Sequence, residues 1–112
     1  MQEIAELTSW LKAFPEQRII AGDFNATYTH PESVAMKETY NDSWGVAQTN
    51  GTAVAYPGNA SGNTRNGRID FIYYSKNAAF LTMKGSQVFD ARDANGHMPS
   101  DHRPLVTTFT VK

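Results

Sequence analysis

The chain has no cysteine, which excludes a disulfide framework and any thiolate metal site and leaves the redox compartment open. It also lacks an excess of charge of either sign. Lys+Arg 10 against Asp+Glu 11 give a formal net charge of −1, so the composition carries no electrostatic footprint for nucleic acid. No apolar run is long enough to span a bilayer, and the first residues lack the basic-then-apolar build of a secretory leader. Soluble cytoplasmic and secreted locations both stay open. No repeat, low-complexity tract or domain boundary interrupts the 112 residues, so one domain over 1–112 is expected. With 40% hydrophobic residues it can bury a core, at the lower end of comfortable size for an α/β layer pair.

What is present reads as one α/β unit. Ile4, Leu7, Leu11 and Phe14 draw an apolar stripe at helical spacing over Glu3 to Phe14, and Pro15 ends it. Trp10 at the stripe's edge is read as packing. Arg18 to Ala21 is a short apolar strand that Gly22 punctuates. Pro31 suits the first turn of a helix through about Tyr40, with Glu32 well placed near its amino end and Trp44 packing beneath it. Gln48 to Tyr56 is read as a strand. Residues 57–67 hold three glycines and three asparagines, so a mobile rim loop is expected there. Phe80 to Phe89 reads as a strand interrupted at Gly85, and the loop from Asp90 to His97 follows. His30 and His97 lie in polar loops and are expected to be solvated.

The chemistry-bearing residues gather at strand ends. Asp23 and Asn25 follow the first apolar run, where a carboxylate and an amide can face a cleft. In Arg68 to Ser75 the side chains alternate, so Ile69, Phe71 and Tyr73 share one face and Asp70, Ile72 and Tyr74 the other. An acid inside a strand needs a partner, because burying an unpaired carboxylate is costly. His102 is the leading candidate. It sits between Pro99 and Pro104, which restrain the approach of Ser100-Asp101-His102 into the strand Leu105 to Val111.

Each feature also has a plain reading: Asp-Phe-Asn as a turn, Asp70 as a structural acid, Asp101-His102 as a loop cap. Their conjunction in order, each on a strand edge, is what suggests metal-assisted phosphoester hydrolysis.

The three segments Gly22-Asp23-Phe24-Asn25, Arg68-Ile69-Asp70-Phe71-Ile72 and Ser100-Asp101-His102 resemble the motifs of the endonuclease/exonuclease/phosphatase superfamily, the deoxyribonuclease I-like group. The resemblance runs from Ile4 to Lys112 and implies the C-terminal half of a four-layered α/β/β/α sandwich, with one mostly antiparallel or mixed sheet covered by helices on one face. The half that normally supplies an early Asn, a metal-binding Glu and a central His or Tyr has no motif-level counterpart here.

The resemblance further implies roles. Asp23 would orient or deprotonate the attacking water, and Asn25 would hold it or a phosphate oxygen. His102 would contact the scissile phosphate, with Asp70 fixing its tautomer. Asp101 would belong to the metal environment, and Ser100 would brace a neighbouring carboxylate. Arg65 and Arg68 would flank the site as substrate contacts. Hard oxygen ligands and no thiols suit Mg2+ or Mn2+, weakly held without the missing Glu, so little turnover is expected of the 112 residues alone.

An uncovered sheet face implies self-association as a homodimer. The resemblance implies a phosphoester substrate, either nucleic acid or a phosphorylated small molecule or lipid. Two other readings stand beside the hydrolase: a non-catalytic interaction module that binds through its exposed sheet, and a plain structural domain.

Overall fold

A computed structural model describes residues 2–13, 18–77 and 79–112. The apolar stripe forms helix α1 (Gln2–Leu11), which sets Leu7 and Leu11 against the core. Phe14 and Pro15 lie outside the described residues. Strand β1 (Ile19–Asp23) runs through Gly22 rather than stopping at it, because its ladder with β4 (Asp70–Ser75) continues to the pair Asp23–Asp70. Helix α2 (Pro31–Thr39) opens as expected, with Pro31 in its first turn and His30 as N-cap, whose Nδ1 accepts from the Glu32 N–H. It passes directly into strand β2 (Tyr40–Asp42).

Helix α3 (Ser43–Asn50) is not apparent in the sequence. Gly45 and the spacing of Trp44, Val46 and Ala47 give it no apolar stripe. It is held by tertiary contacts: Ser43, Trp44 and Ala47 are buried, and Ser43 Oγ bonds Thr107 Oγ1 at 2.7 Å, which in turn bonds Ser86 Oγ at 3.0 Å. Gly51, at φ 75°, ends the helix in the left-handed region, its N–H bonding the Ala47 carbonyl. The strand read over Gln48 to Tyr56 therefore shrinks to β3 (Ala53–Val54).

Strands β5 (Leu81–Val88) and β6 (Leu105–Val111) match the sequence reading. The interruption at Gly85 is a bulge, where the register slips between Met83 and Gly85.

The α/β class is as expected, but the strands hydrogen-bond as two three-stranded sheets rather than one. The order is β1-β4-β2, all antiparallel, and β3-β5-β6, in which β3 runs parallel to β5. An edge-to-face contact of Tyr74 with Phe109, 5.4 Å between centroids, links them. The core cluster of Leu11, Met36, Tyr40, Phe71 and Tyr73 lies between the first sheet and helices α1 and α2. Trp10, at 61% exposed, is not part of it. On β6 the outward residue Val106 alternates with Thr108 and Thr110, so the exposed sheet face is more polar than a bare sandwich core.

The 57–67 loop departs furthest from expectation. Asn59 receives the Asn63 N–H on Oδ1 (3.1 Å) and returns its amide to the Asn63 carbonyl (2.9 Å). Asn59, Gly62 and Thr64 are buried, so the loop is knitted into the fold. Trp44 packs beneath it, not beneath α2. At Gly62, φ is 74° and a Cβ would come within 2.2 Å of the Trp44 ring. Gly62→Ala should therefore lose about 2–4 kcal/mol from overpacking plus left-handed strain. Urea denaturation checks this, and a loss below about 1 kcal/mol would contradict the packing.

Candidate active site

The register of β1 on β4 places Asp23 directly opposite Asp70 at one end of the sheet. Two like charges across an antiparallel pair repel, so the site calls for a cationic neighbour. His102 supplies it from the segment before β6. Its Nδ1 lies 2.7 Å from Asp70 Oδ2, and its Nε2 faces Asp23 Oδ2 at 3.8 Å. The hydrogen bond that Nδ1–H donates to Asp70 raises the imidazole above its ordinary range. Partial burial opposes this, and the charges of Asp70, Asp101 and Asp23 add to it.

The surroundings hold this geometry through the backbone. Thr64, 1% exposed, accepts the N–H groups of Ile69 and Asp70 on Oγ1 at 3.3 and 3.2 Å, and its carbonyl accepts the Arg103 N–H at 2.7 Å. One threonine thus ties the start of β4 to the residue after His102. Nothing in the sequence marks it, because its importance comes only from where the loop folds back. Ser100 braces the His102 N–H (3.1 Å) rather than a carboxylate, which corrects its expected role.

The other candidates are distributed unevenly. Asn25 stands at φ 51°, a left-handed conformation that asparagine tolerates, and its N–H bonds Asp23 Oδ1 at 2.9 Å. Its own amide is exposed beside the site. Asp101 is peripheral: 68% exposed, 3.9 Å from His102 Nε2, and 3.3 Å from Arg65 Nη2. Arg68 does not flank the site as a substrate contact. It is 7% exposed and grips both oxygens of the equally buried Asp42 at 2.7 and 2.8 Å, so its charge serves the interior. His97 is solvated, at 80% side-chain exposure.

Asp23, Asp70 and His102 each present one ligand atom within 4.8 Å of the others. Two carboxylates and an imidazole fit a divalent ion that prefers oxygen donors. The trio contains Asp70 and Asp23 but neither Asp101 nor a glutamate. No described helix is long and apolar enough to cross a membrane. A cavity of about 640 Å³ lies beside Arg68 and Asp42. The three groups that could together hold a metal ion lie outside it.

A model of the Endonuclease/Exonuclease/phosphatase family matches residues 1–102. The chain belongs to this family. No curated protein sequence matches it. Two solved structures share its fold. An endonuclease/exonuclease/phosphatase from Bacteroides vulgatus is 17% identical with a TM-score of 0.76, over 99% of this chain and 43% of that one. A functionally unknown conserved protein from Enterococcus faecalis V583 is 21% identical with a TM-score of 0.67, over 97% of this chain and 44% of that one. This family member therefore spans less than half the length of either neighbour, and at these identities the likeness bears on fold alone.

Proposed function

We propose that the chain carries the acid-imidazole side of a metal-dependent phosphoester hydrolase, and the Asp23–Asp70–His102 convergence supports this reading most directly. Asp70 holds Nδ1 of His102 and so aims Nε2 toward the Asp23 side, where a phosphate would sit. In its cationic form, favoured by Asp70, the imidazole neutralises charge building on a non-bridging oxygen. Asp23, whose Oδ1 is anchored by the Asn25 N–H, orients the attacking water and takes its proton. The Asn25 amide donates to a phosphate oxygen. Asp23 and Asp70, with Asp101 at the edge, would hold Mg2+ or Mn2+, which supplies further neutralisation of the phosphate when bound.

Because the trio includes no glutamate and the imidazole competes with the ion for Asp70, weak metal affinity and slow turnover go with this reading.

The test uses bis(p-nitrophenyl) phosphate and p-nitrophenyl phosphate with Mg2+ or Mn2+, followed in parallel by NMR of the histidine rings. The expected result is slow, chelator-sensitive hydrolysis, lost in His102→Ala with an unchanged circular dichroism spectrum, and metal-induced shifts of the His102 resonances. Absence of both turnover and metal-induced shifts would remove the reading.

A further inference from the structure

Arg103, next in sequence to the catalytic candidate His102, carries its guanidinium to the 57–67 loop. Its Nη1 donates to the carbonyls of Arg65 (2.8 Å) and Asn63 (3.5 Å), and among the described residues its Nε and Nη2 make no bond. The guanidinium carbon lies 6.0 Å from the centre of the Tyr56 ring, and that of Arg92 lies 5.9 Å from the same ring. Arg92 forks onto Asp90, whose carboxyl it holds down to about 2, with the charge of Arg103 adding to the effect. Arg65, half exposed, leans on Asp101. Tyr56, Arg65, Arg92 and Arg103 line one trough of about 380 Å³, separate from the trio but joined to it through the backbone from His102 to Arg103.

Three guanidiniums thus face two carboxylates, Asp90 and Asp101, and Arg103 has no carboxylate of its own. Of the two cations on the Tyr56 ring, Arg92 is balanced by Asp90, while Arg103 brings a charge with no paired carboxylate, which an anion in the trough would offset. Guanidinium forks match tetrahedral phosphate oxygens. The Tyr56 ring, already engaged by two cations, is a poor platform for a stacked base.

We propose that Tyr56, Arg65, Arg92 and Arg103 form a second phosphate subsite. It holds a non-scissile phosphate and selects substrates with at least two phosphates over simple monophosphate esters. The inference rests on the hydrolase reading for which phosphate is cleaved. A nucleotide strand and a polyphosphorylated alcohol share the required chemistry.

Calorimetric titration in chelator, where no turnover occurs, separates the possibilities. The probes are a nucleoside 3′,5′-bisphosphate and an inositol bisphosphate, each against its monophosphate. We expect the second phosphate to tighten binding about tenfold or more. Arg103→Gln and Arg92→Gln should each remove most of that advantage while leaving monophosphate affinity unchanged. His102→Ala should weaken mono- and bisphosphates alike and keep their ratio. A preference for either bisphosphate family, or for both, supports the subsite and identifies the source. No preference, or one that survives both arginine substitutions, overturns it. Arg92 bonds Asp90 at the surface, so its variant decides the matter if Arg103→Gln misfolds. A bisphosphate preference without metal-dependent hydrolysis would keep the anion subsite and sink the hydrolase reading instead.

Discussion

Arg68→Met is expected to cost about 3–5 kcal/mol, because it strands the Asp42 carboxylate without its counter-charge in the interior. The two side chains are 7% and 6% exposed and share a two-pronged contact. Folded domains have only about 5–15 kcal/mol of total stability, and a 112-residue chain sits low in that range. Much of the population should unfold in mild urea. The double variant Arg68→Met with Asp42→Leu should recover most of the loss, since removing both charges eliminates the desolvation penalty that unpairing exposes. Denaturation of the two single variants and the double variant measures the coupling. A single-variant loss under about 1 kcal/mol would mean that water reaches the pair. The same experiment tests why Arg68 is unavailable to substrate: its charge is needed to hold β2, through Asp42, against the residues leading into β4.

Asp70→Asn should lower the NMR titration midpoint of His102 toward its ordinary value near 6.5, since the Asp70 hydrogen bond is the largest cause of its upward shift. The effect on stability has a definite sign. A folded imidazole that keeps its proton to higher pH than an unfolded one stabilises the chain fully below the unfolded value. That stabilisation is lost as pH rises through the raised folded value. Wild type should therefore exceed Asp70→Asn in stability mainly on the acidic side of the ordinary histidine range, and the gap should narrow above it. Any metal-dependent turnover should fall by about 10³–10⁴, the scale seen when the acid behind a catalytic imidazole is lost. An unmoved His102 midpoint would show that the ring does not rely on Asp70, and the proposed orientation of Nε2 would fail with it.

Much of the site could be read along the chain because each of its groups is announced by local pattern. The alternation through Ile69, Asp70, Phe71, Ile72 and Tyr73 sets Asp70 on the face opposite the core aromatics, and the prolines at 99 and 104 restrain the histidine's approach. Pro31 and Glu32 announced α2, and Gly85 announced the bulge; His30 as the N-cap of α2 was not read. Other features were hidden. Helix α3 has neither stripe nor charge pattern, and it exists because Trp44 and Ala47 find buried places and Ser43 finds Thr107. The 57–67 segment has loop composition, yet side-chain amides and a buried threonine knit it, which composition does not register. Arg68 and Arg65 look alike in the sequence. One is buried against Asp42 and the other stands at the surface, a difference created by β2, which lies 26 residues from Arg68.

The order of residues alone determined which groups were available for chemistry: carboxylates, one restrained imidazole and no thiol, on an α/β frame of alternating strands. Local periodicity and proline or glycine stereochemistry act over a few residues, so they are complete in the linear chain. Only the folded structure decided how near the second acid stands to the imidazole, which arginine is withdrawn into the interior, and which two guanidiniums meet over one tyrosine. Those outcomes depend on contacts between segments tens of residues apart. There burial and the cost of an unpaired charge outweigh local preference.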